Sequence, residues 1–177
     1  MKERTTIDYV IRKIKASDRD NLKKLYLRVA SIPGGLARTA DEITDSYIDK
    51  IMNAPLENGL VFVAEHNHAL IGSVVVHTLG PTVFSHILGD GTILVDPDFQ
   101  GIGVGSAIFT ALLNEIKEHR PDIMRVEIIA RESNRAIGLY ERLGFVREGE
   151  FKKRIRGISG TFESDIPMTW FNPNFKE

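Results

Sequence analysis

The chain has no cysteine. Disulfides, thiolate metal sites and a cysteine-bound acyl intermediate are therefore excluded, and the composition suits a reducing compartment such as the cytoplasm. Net charge is nearly absent too, with 23 Lys and Arg against 24 Asp and Glu. Nothing in that balance draws the molecule to nucleic acid or to an anionic membrane. No apolar run is long enough to span a bilayer, and the opening MKERTTIDYV lacks the apolar stretch of a signal peptide. Internal repeats, low-complexity tracts and an interdomain linker are missing as well. What is present is an ordinary globular composition, 42% hydrophobic and 27% charged over 177 residues. That is enough for one domain with a real core.

The most informative stretch runs from Val95 to Leu113. Thr92-Ile93-Leu94-Val95 reads as the end of a buried strand, which Asp96-Pro97-Asp98 stops with turn chemistry. Gln100 follows, then glycines at 101, 103 and 105. Behind them Val104, Ile108, Ala111, Leu112 and Ile116 recur at helical spacing, predicting a helix to about His119. Glycines that open a helix leave N–H groups uncovered at the positive end of its dipole, an anion site whose usual occupant is phosphate. A P-loop needs Lys-Ser or Lys-Thr after the last glycine, and Ser106-Ala107 stands there instead. A dinucleotide fingerprint should follow its strand directly, whereas Asp96 to Gln100 intervenes and Ser106 replaces the third glycine. Glu127 lies at a tolerable distance for a ribose-binding acid, so that reading stays as a minor alternative.

Taken in order, Ile7 to Lys15 predicts a first strand, and Ser17-x-x-Asp20 caps a helix with Leu22, Leu25, Tyr26 and Val29 inward. Ser31-Ile32-Pro33-Gly34-Gly35 breaks it. Thr39-x-x-Glu42 is a second capping box, opening a helix with Ile43, Tyr47, Ile48 and Ile51 inward; Asp41, Glu42, Asp45 and Asp49 make a solvated face. Leu60 to Glu65 and Leu70 to Thr78 form a hairpin around His66-Asn67-His68-Ala69, a polar turn tip with no third metal ligand nearby. Phe84 to Val95 is the strand feeding the glycine turn, with Gly89 and Gly91 marking a bulge or a close approach by a ligand. Met124 to Ala130 is a further strand, and Ser133 or Asn134 starts a short helix ending near Leu143-Gly144. Phe145 to Arg156 and Thr161 to Trp170 close the chain as a hairpin around Gly157-Ile158-Ser159-Gly160. The order β-α-α-β-β-β-α-β-α-β-β predicts an α/β (α+β) fold with a mixed sheet and helices on both faces.

Gln100-Gly101-Ile102-Gly103-Val104-Gly105, with Val95 and Pro97 before it, resembles the acyl-coenzyme A signature of the GNAT N-acetyltransferases. Asn134-Arg135-Ala136-Ile137-Gly138-Leu139-Tyr140 through Gly144-Phe145 closely resembles that family's second signature, at the expected distance. Ile11-Arg12, Asp18 and Ile71-Gly72 extend the likeness toward the N-terminus. The closing segment, from Glu148-Gly149 to Met168, looks most like members acting on small amines or protein N-termini.

The resemblance implies a single acyl-coenzyme A N-acyltransferase (GNAT) domain over residues 1–177. It also implies a mostly antiparallel sheet splayed between its fourth and fifth strands. Acetyl-coenzyme A (acetyl-CoA) is then the cosubstrate and a primary amine the acceptor, with direct attack in a ternary complex. No metal, nucleic acid or membrane is expected; a homodimer is compatible with the family. Main-chain groups at Ile93, Leu94 and Val95 would pair with the pantetheine arm. The turn of Gln100, Gly101, Ile102, Gly103, Val104, Gly105 and Ser106 would hold the pyrophosphate. Asn134 would face the pantetheine, cap its helix, or do both. Arg135 and Arg142 are either solvated helix charges or partners of the adenosine 3′-phosphate.

Tyr140 sits at the family's tyrosine, whose hydroxyl serves the departing sulfur as general acid, although packing alone would also explain it. An amine near pKa 10 must lose a proton before it attacks. Many members use a glutamate on the fourth strand as base, but Gly89 stands there, leaving Asp90, His86, Glu127 or a chain of waters. The rivals are a non-catalytic acyl-CoA-binding sensor and, more distantly, a nucleotide-dependent oxidoreductase.

Overall fold

A computed structural model describes residues 7–157 and 159–177, so Ile158 of the closing turn and residues 1–6 lie outside it. Eight strands and four α-helices follow one another among the described residues. They are β1 (Val10–Lys13), α1 (Arg19–Ala30), α2 (Asp45–Asn53), β2 (Leu60–His66), β3 (Ala69–Thr78) and β4 (Ile87–Val95). Then come α3 (Val104–His119), β5 (Arg125–Arg131), α4 (Ile137–Arg142), β6 (Val146–Arg147), β7 (Phe151–Arg156) and β8 (Phe162–Phe171). The strands share one sheet in the order β1-β2-β3-β4-β5-β8-β6, with β7 also on β8. The β4–β5 pair is parallel; the β1–β2 pair and the partners of β8 are antiparallel. By contacts the chain divides into two units, Met1–Val75 with Thr92–Leu113, and Val76–Gly91 with Asn114–Glu177.

In the first unit, Leu22, Leu25, Tyr26 and Val29 are all buried, as the helical spacing of α1 predicts. They meet Ile48 and Ile51 of α2 and Val61, Val63, Val75 and Leu94 of the strands in one apolar cluster. Each fully buried aliphatic side chain stabilises by about 1.5–3 kcal/mol, so this seam fixes both helices on the sheet. The other face of β3 carries α3. A Cβ on Gly72 would fall 2.5 Å from Ile108 Cδ1 and 3.2 Å from Val104 Cγ1. A side chain at position 72 would have to displace the tip of Ile108 and press on Val104.

Two helix starts differ from the expectation. At α1 the capping residue is displaced: Asp18, not Ser17, is buried, and its carboxylate accepts the Lys15 N–H at 2.7 Å and both terminal nitrogens of Arg12 at 2.7 and 2.8 Å. At α2 the Thr39–Glu42 box forms, with Glu42 Oε2 accepting the Thr39 N–H at 2.8 Å, but it closes only a short 3₁₀ turn over Ala40–Glu42. Ile43 leaves helical geometry at ψ 67°, and Thr44 then caps the true helix by accepting the Tyr47 N–H at 3.1 Å. Asp45 and Asp49 are exposed but paired: Arg19 reaches them at 3.1 and 2.7 Å, and Lys23 reaches Asp45 at 3.0 Å. The β2–β3 turn is Asn67-His68, both residues at positive φ, the conformation that suits a two-residue hairpin.

In the second unit, β5 and β8 pair in register from Arg125 opposite Phe171 to Arg131 opposite Asp165. The expected closing hairpin has one arm broken in two. Val146 and Arg147 pair with Thr169 and Met168, and pairing resumes only at Phe151 opposite Asp165. Pro167 lies opposite the gap; it has no N–H to continue the ladder, and its carbonyl accepts the Glu148 N–H at 2.9 Å. Strand β4 also starts later than expected, because Thr82–Phe84 forms a 3₁₀ turn ahead of it.

Candidate active site

In the first unit, the expected anion site begins where β4 ends. Leu94 is buried, and Ile93 and Val95 are half-buried. Asp96 receives the Asp98 N–H at 3.0 Å and Arg28 Nε at 2.7 Å, while Arg28 also pairs with Asp98. That guanidinium, from α1, latches the turn. Gln100 donates its amide to the Val95 carbonyl at 3.1 Å, tying the turn to the strand that feeds it.

Gly101 and Gly103 then take φ values of 77° and 97°, conformations that side-chain-bearing residues rarely adopt, with nothing within 4 Å of a Cβ at either position. Gly101, Ile102 and Gly103 are exposed, Val104 is buried, and Gly105 and Ser106 are half-buried. The Ala107 N–H bonds the Gly103 carbonyl at 2.9 Å as α3 begins, so the N–H groups of Val104, Gly105 and Ser106 precede the first intrahelical bond. A bare, outward-facing turn at a helix start fits a pyrophosphate.

The second unit holds the other predicted residues. Tyr140 is only 4% exposed on α4, its ring 6.1 Å from that of Phe145. Burial pushes its phenol up to about 12. Asn134 spends its side-chain oxygen on the Ala136 N–H at 2.8 Å; it closes the turn before α4, which starts at Ile137 and not at residue 133 or 134.

The three candidate bases are not equivalent. Strands β4 and β5 pair at Ile87 with Arg125 and at Leu88 with Val126, and their splay opens beyond that point. His86 lies on the joined side, where its carbonyl receives the Met124 N–H at 2.8 Å. Asp90 is exposed, on a backbone turned to φ 47°. Glu127 stands at the parting itself: a Cβ on Gly89 would lie 3.6 Å from Glu127 Cβ and 3.8 Å from its Oε2. Glu127 thus lies in ordinary contact range of position 89, where the tightest neighbour of a Cβ would be Leu79 Cδ2 at 3.1 Å.

Around Glu127 is a network that the sequence did not single out. Arg125, two residues earlier on the same face of β5, pairs with Glu127 by charge, its Nε 2.9 Å from Oε1 but out of hydrogen-bonding geometry. Its terminal nitrogen bonds Glu148 and, at 2.9 Å, Thr169 Oγ1, which donates to Glu148 at 2.7 Å. The Thr169 hydroxyl and Arg125 hold the Glu148 carboxyl below its usual range, against a smaller opposing push from burial. The only signal available in sequence was the i, i+2 spacing of Arg125 and Glu127. Among the described residues, no group of three His, Asp or Glu is placed to hold a metal, and no helix is long and apolar enough to cross a membrane.

Comparison with known proteins is consistent with this arrangement. A chloroplastic protein of Arabidopsis thaliana named GCN5-related N-acetyltransferase 1 is 29% identical over 91 residues. That match spans 48% of this chain and 44% of the plant protein, less than half its length. Among solved structures, a phosphinothricin acetyltransferase of Sinorhizobium meliloti in complex with acetyl-CoA superposes with a TM-score of 0.81 at 17% identity, covering 95% of this chain and 90% of that one. A ribosomal-protein-alanine N-acetyltransferase of Brucella melitensis gives 0.78 at 20% identity, over 92% and 99%. At such identities these two speak for the fold alone. The family model described as the acetyltransferase (GNAT) domain matches residues 57–147, more than half of the chain and the span holding β4, the glycine turn and Tyr140, so the chain belongs to the GNAT acetyltransferase family.

Proposed function

We propose that the protein is a cytoplasmic N-acetyltransferase that moves acetyl from acetyl-CoA to a primary amine by direct attack in a ternary complex. The observation that carries this reading is the turn from Gly101 to Ser106, whose two positive-φ glycines and uncovered N–H groups suit the pyrophosphate of the donor. The lack of cysteine removes a thiol-bound acyl intermediate and so favours direct transfer.

In this reading Glu127 is the base, acting on the amine directly or through a water. Its place beside the bare backbone of Gly89, where β4 and β5 part, supports it over His86 and Asp90. Tyr140 serves the sulfur. A phenol near 12 is fully protonated at neutral pH and so always a donor. A phenol is a weaker acid than a thiol, so complete transfer of its proton to a thiolate runs uphill. Tyr140 therefore contributes a hydrogen bond to the developing charge, and the proton that ends on sulfur originates on the amine.

The test is a panel of amines with acetyl-CoA, following free thiol and the mass of the acetylated amine together. Release of thiol matched by acetylated amine is the expected result. Tight acetyl-CoA binding without turnover of any amine would make the protein a sensor. Tighter binding of a nicotinamide dinucleotide than of coenzyme A would move it out of acyl transfer altogether.

A further inference from the structure

The network around Glu127 lies wholly in the second unit, and one donor in it is unused. Arg125 Nε is buried and has no hydrogen bond, although Glu127 Oε1 is only 2.9 Å away. A guanidinium can meet a carboxylate side-on, Nε and Nη2 donating in parallel to its two oxygens. Here that fork is divided between two carboxylates. Nη2 bonds Glu148 and, at 2.9 Å, Thr169 Oγ1, while Nε alone is left beside Glu127.

The division follows from the strand register. Thr169 stands directly opposite Glu127 on β8 and is 1% exposed, so its hydroxyl must find partners within the protein. It accepts from Arg125 and donates to Glu148 at 2.7 Å. The pairing of Val146 with Thr169 and of Arg147 with Met168 brings Glu148, the next residue, within reach of that hydroxyl. The Phe171 ring lies against the guanidinium as well, its centroid 5.4 Å from Cζ. One cation therefore serves two carboxylates and gives its hydrogen bonds to Glu148. Among the described residues Glu127 has no other partner, and its Oε2 is the oxygen near position 89.

We propose that Glu148 is a positioning residue for the transfer: with Thr169 it holds Arg125 back from closing on Glu127, which keeps a carboxylate oxygen open to the amine proton. This rests on the N-acetyltransferase reading with Glu127 as base, and it adds residues that act through Arg125 and not on the amine. A carboxylate gripped by both arms of the fork would have both oxygens engaged, and an arriving proton would have to displace a charge-assisted bond. Glu148 and Thr169 prevent that by occupying the second arm.

The experiment removes the restraint at Glu148, an exposed position where truncation leaves the core intact. In Glu148→Ala the freed Nη2 should join Nε on Glu127. The Nε–H resonance of Arg125 should then move downfield in a ¹H–¹⁵N spectrum and exchange more slowly, and neither change should occur in Glu148→Ala/Glu127→Ala. With an amine that is turned over, kcat should fall about tenfold, the order of one charge-assisted hydrogen bond, while the KM for the amine and the Kd for acetyl-CoA stay close to wild type. Adding Arg125→Gln to Glu148→Ala removes the guanidinium itself and should recover most of that loss. A residue with a purely structural role predicts a deeper loss in the double variant. An Nε–H resonance that stays in place in Glu148→Ala would overturn the inference, as would a fall in kcat that Arg125→Gln deepens. If Glu127→Gln leaves kcat near wild type, or if no amine is acetylated, the reading of the base or of the transferase has failed separately. The restraint on Arg125 is then decided by the resonance alone, its movement upholding the restraint and its constancy ending it.

Discussion

The glycine turn and the Glu127 network are two ways of building a candidate site, and they differ in what the chain must specify. The turn is main-chain chemistry. Gly101 and Gly103 bend it, Arg28 and Gln100 hold it, and the groups offered to a ligand are N–H dipoles that every residue owns. The Glu127 network is side-chain chemistry assembled by register: Arg125 and Glu127 from β5, Thr169 from β8 and Glu148 from beyond β6. Backbone sites tolerate changes of side chain and fail on changes of conformation. Side-chain sites do the reverse.

That contrast can be broken most severely at Glu127. Glu127→Gln keeps the shape, loses the proposed base and should lower kcat by about a thousandfold, inside the range of general-base effects. A fall of less than tenfold in a folded variant would return the role to Asp90 or to water. Next is Tyr140→Phe, which keeps the ring against Phe145 and removes the donor. It should lower kcat by roughly a hundredfold while the Kd for acetyl-CoA stays close to wild type. A loss of melting temperature with near-normal turnover would identify a packing residue instead.

On the backbone side, Gly103→Val places a branched side chain at φ 97°. Strain of one to two kcal/mol together with an obstructed approach should weaken acetyl-CoA binding by about thirtyfold, with cooperative unfolding retained. Unchanged affinity in a calorimetric titration would remove the phosphate role of the turn.

The smallest effect is on stability, at Asp18. Arg12's hydrogen bond is the main reason its carboxyl lies below the usual range. A carboxylate with a depressed folded pKa stabilises above its unfolded value near 3.9 and loses that contribution as pH falls through the lower folded value. Asp18→Asn should therefore cost about 1.5 kcal/mol in urea denaturation at pH 7. The difference from wild type should shrink as pH falls through the depressed folded value and vanish below it, where both chains carry a neutral group. A cost that persisted in acid would mean that Asp18 acts through packing.

What could be read from the sequence follows the same division. Local chemistry was legible: the glycine turn, the inward face of α1, the extent of α3 and the polar β2–β3 hairpin are all where periodicity and turn residues put them. Capping was legible in kind and not in place, because Thr39–Glu42 and Thr44 are both good caps and only the backbone break at Ile43 decides between them. The split of the last hairpin depended on Pro167 falling opposite Glu148-Gly149-Glu150, a matter of register between distant segments. Arg125 was invisible for the same reason. Its neighbours at positions 148 and 169 come together only when β5, β6 and β8 are aligned.

Gly72 carries a last consequence. Bare of a side chain, it lets Ile108 and Val104 rest directly on β3, so α3 takes its height from the sheet. The glycine turn is the leading end of that same helix, and its altitude above β4 is thus gauged by a residue no ligand would ever touch. A single methyl group at position 72 would push the Ile108 tip aside and press on Val104, the first residue of the helix behind the rim.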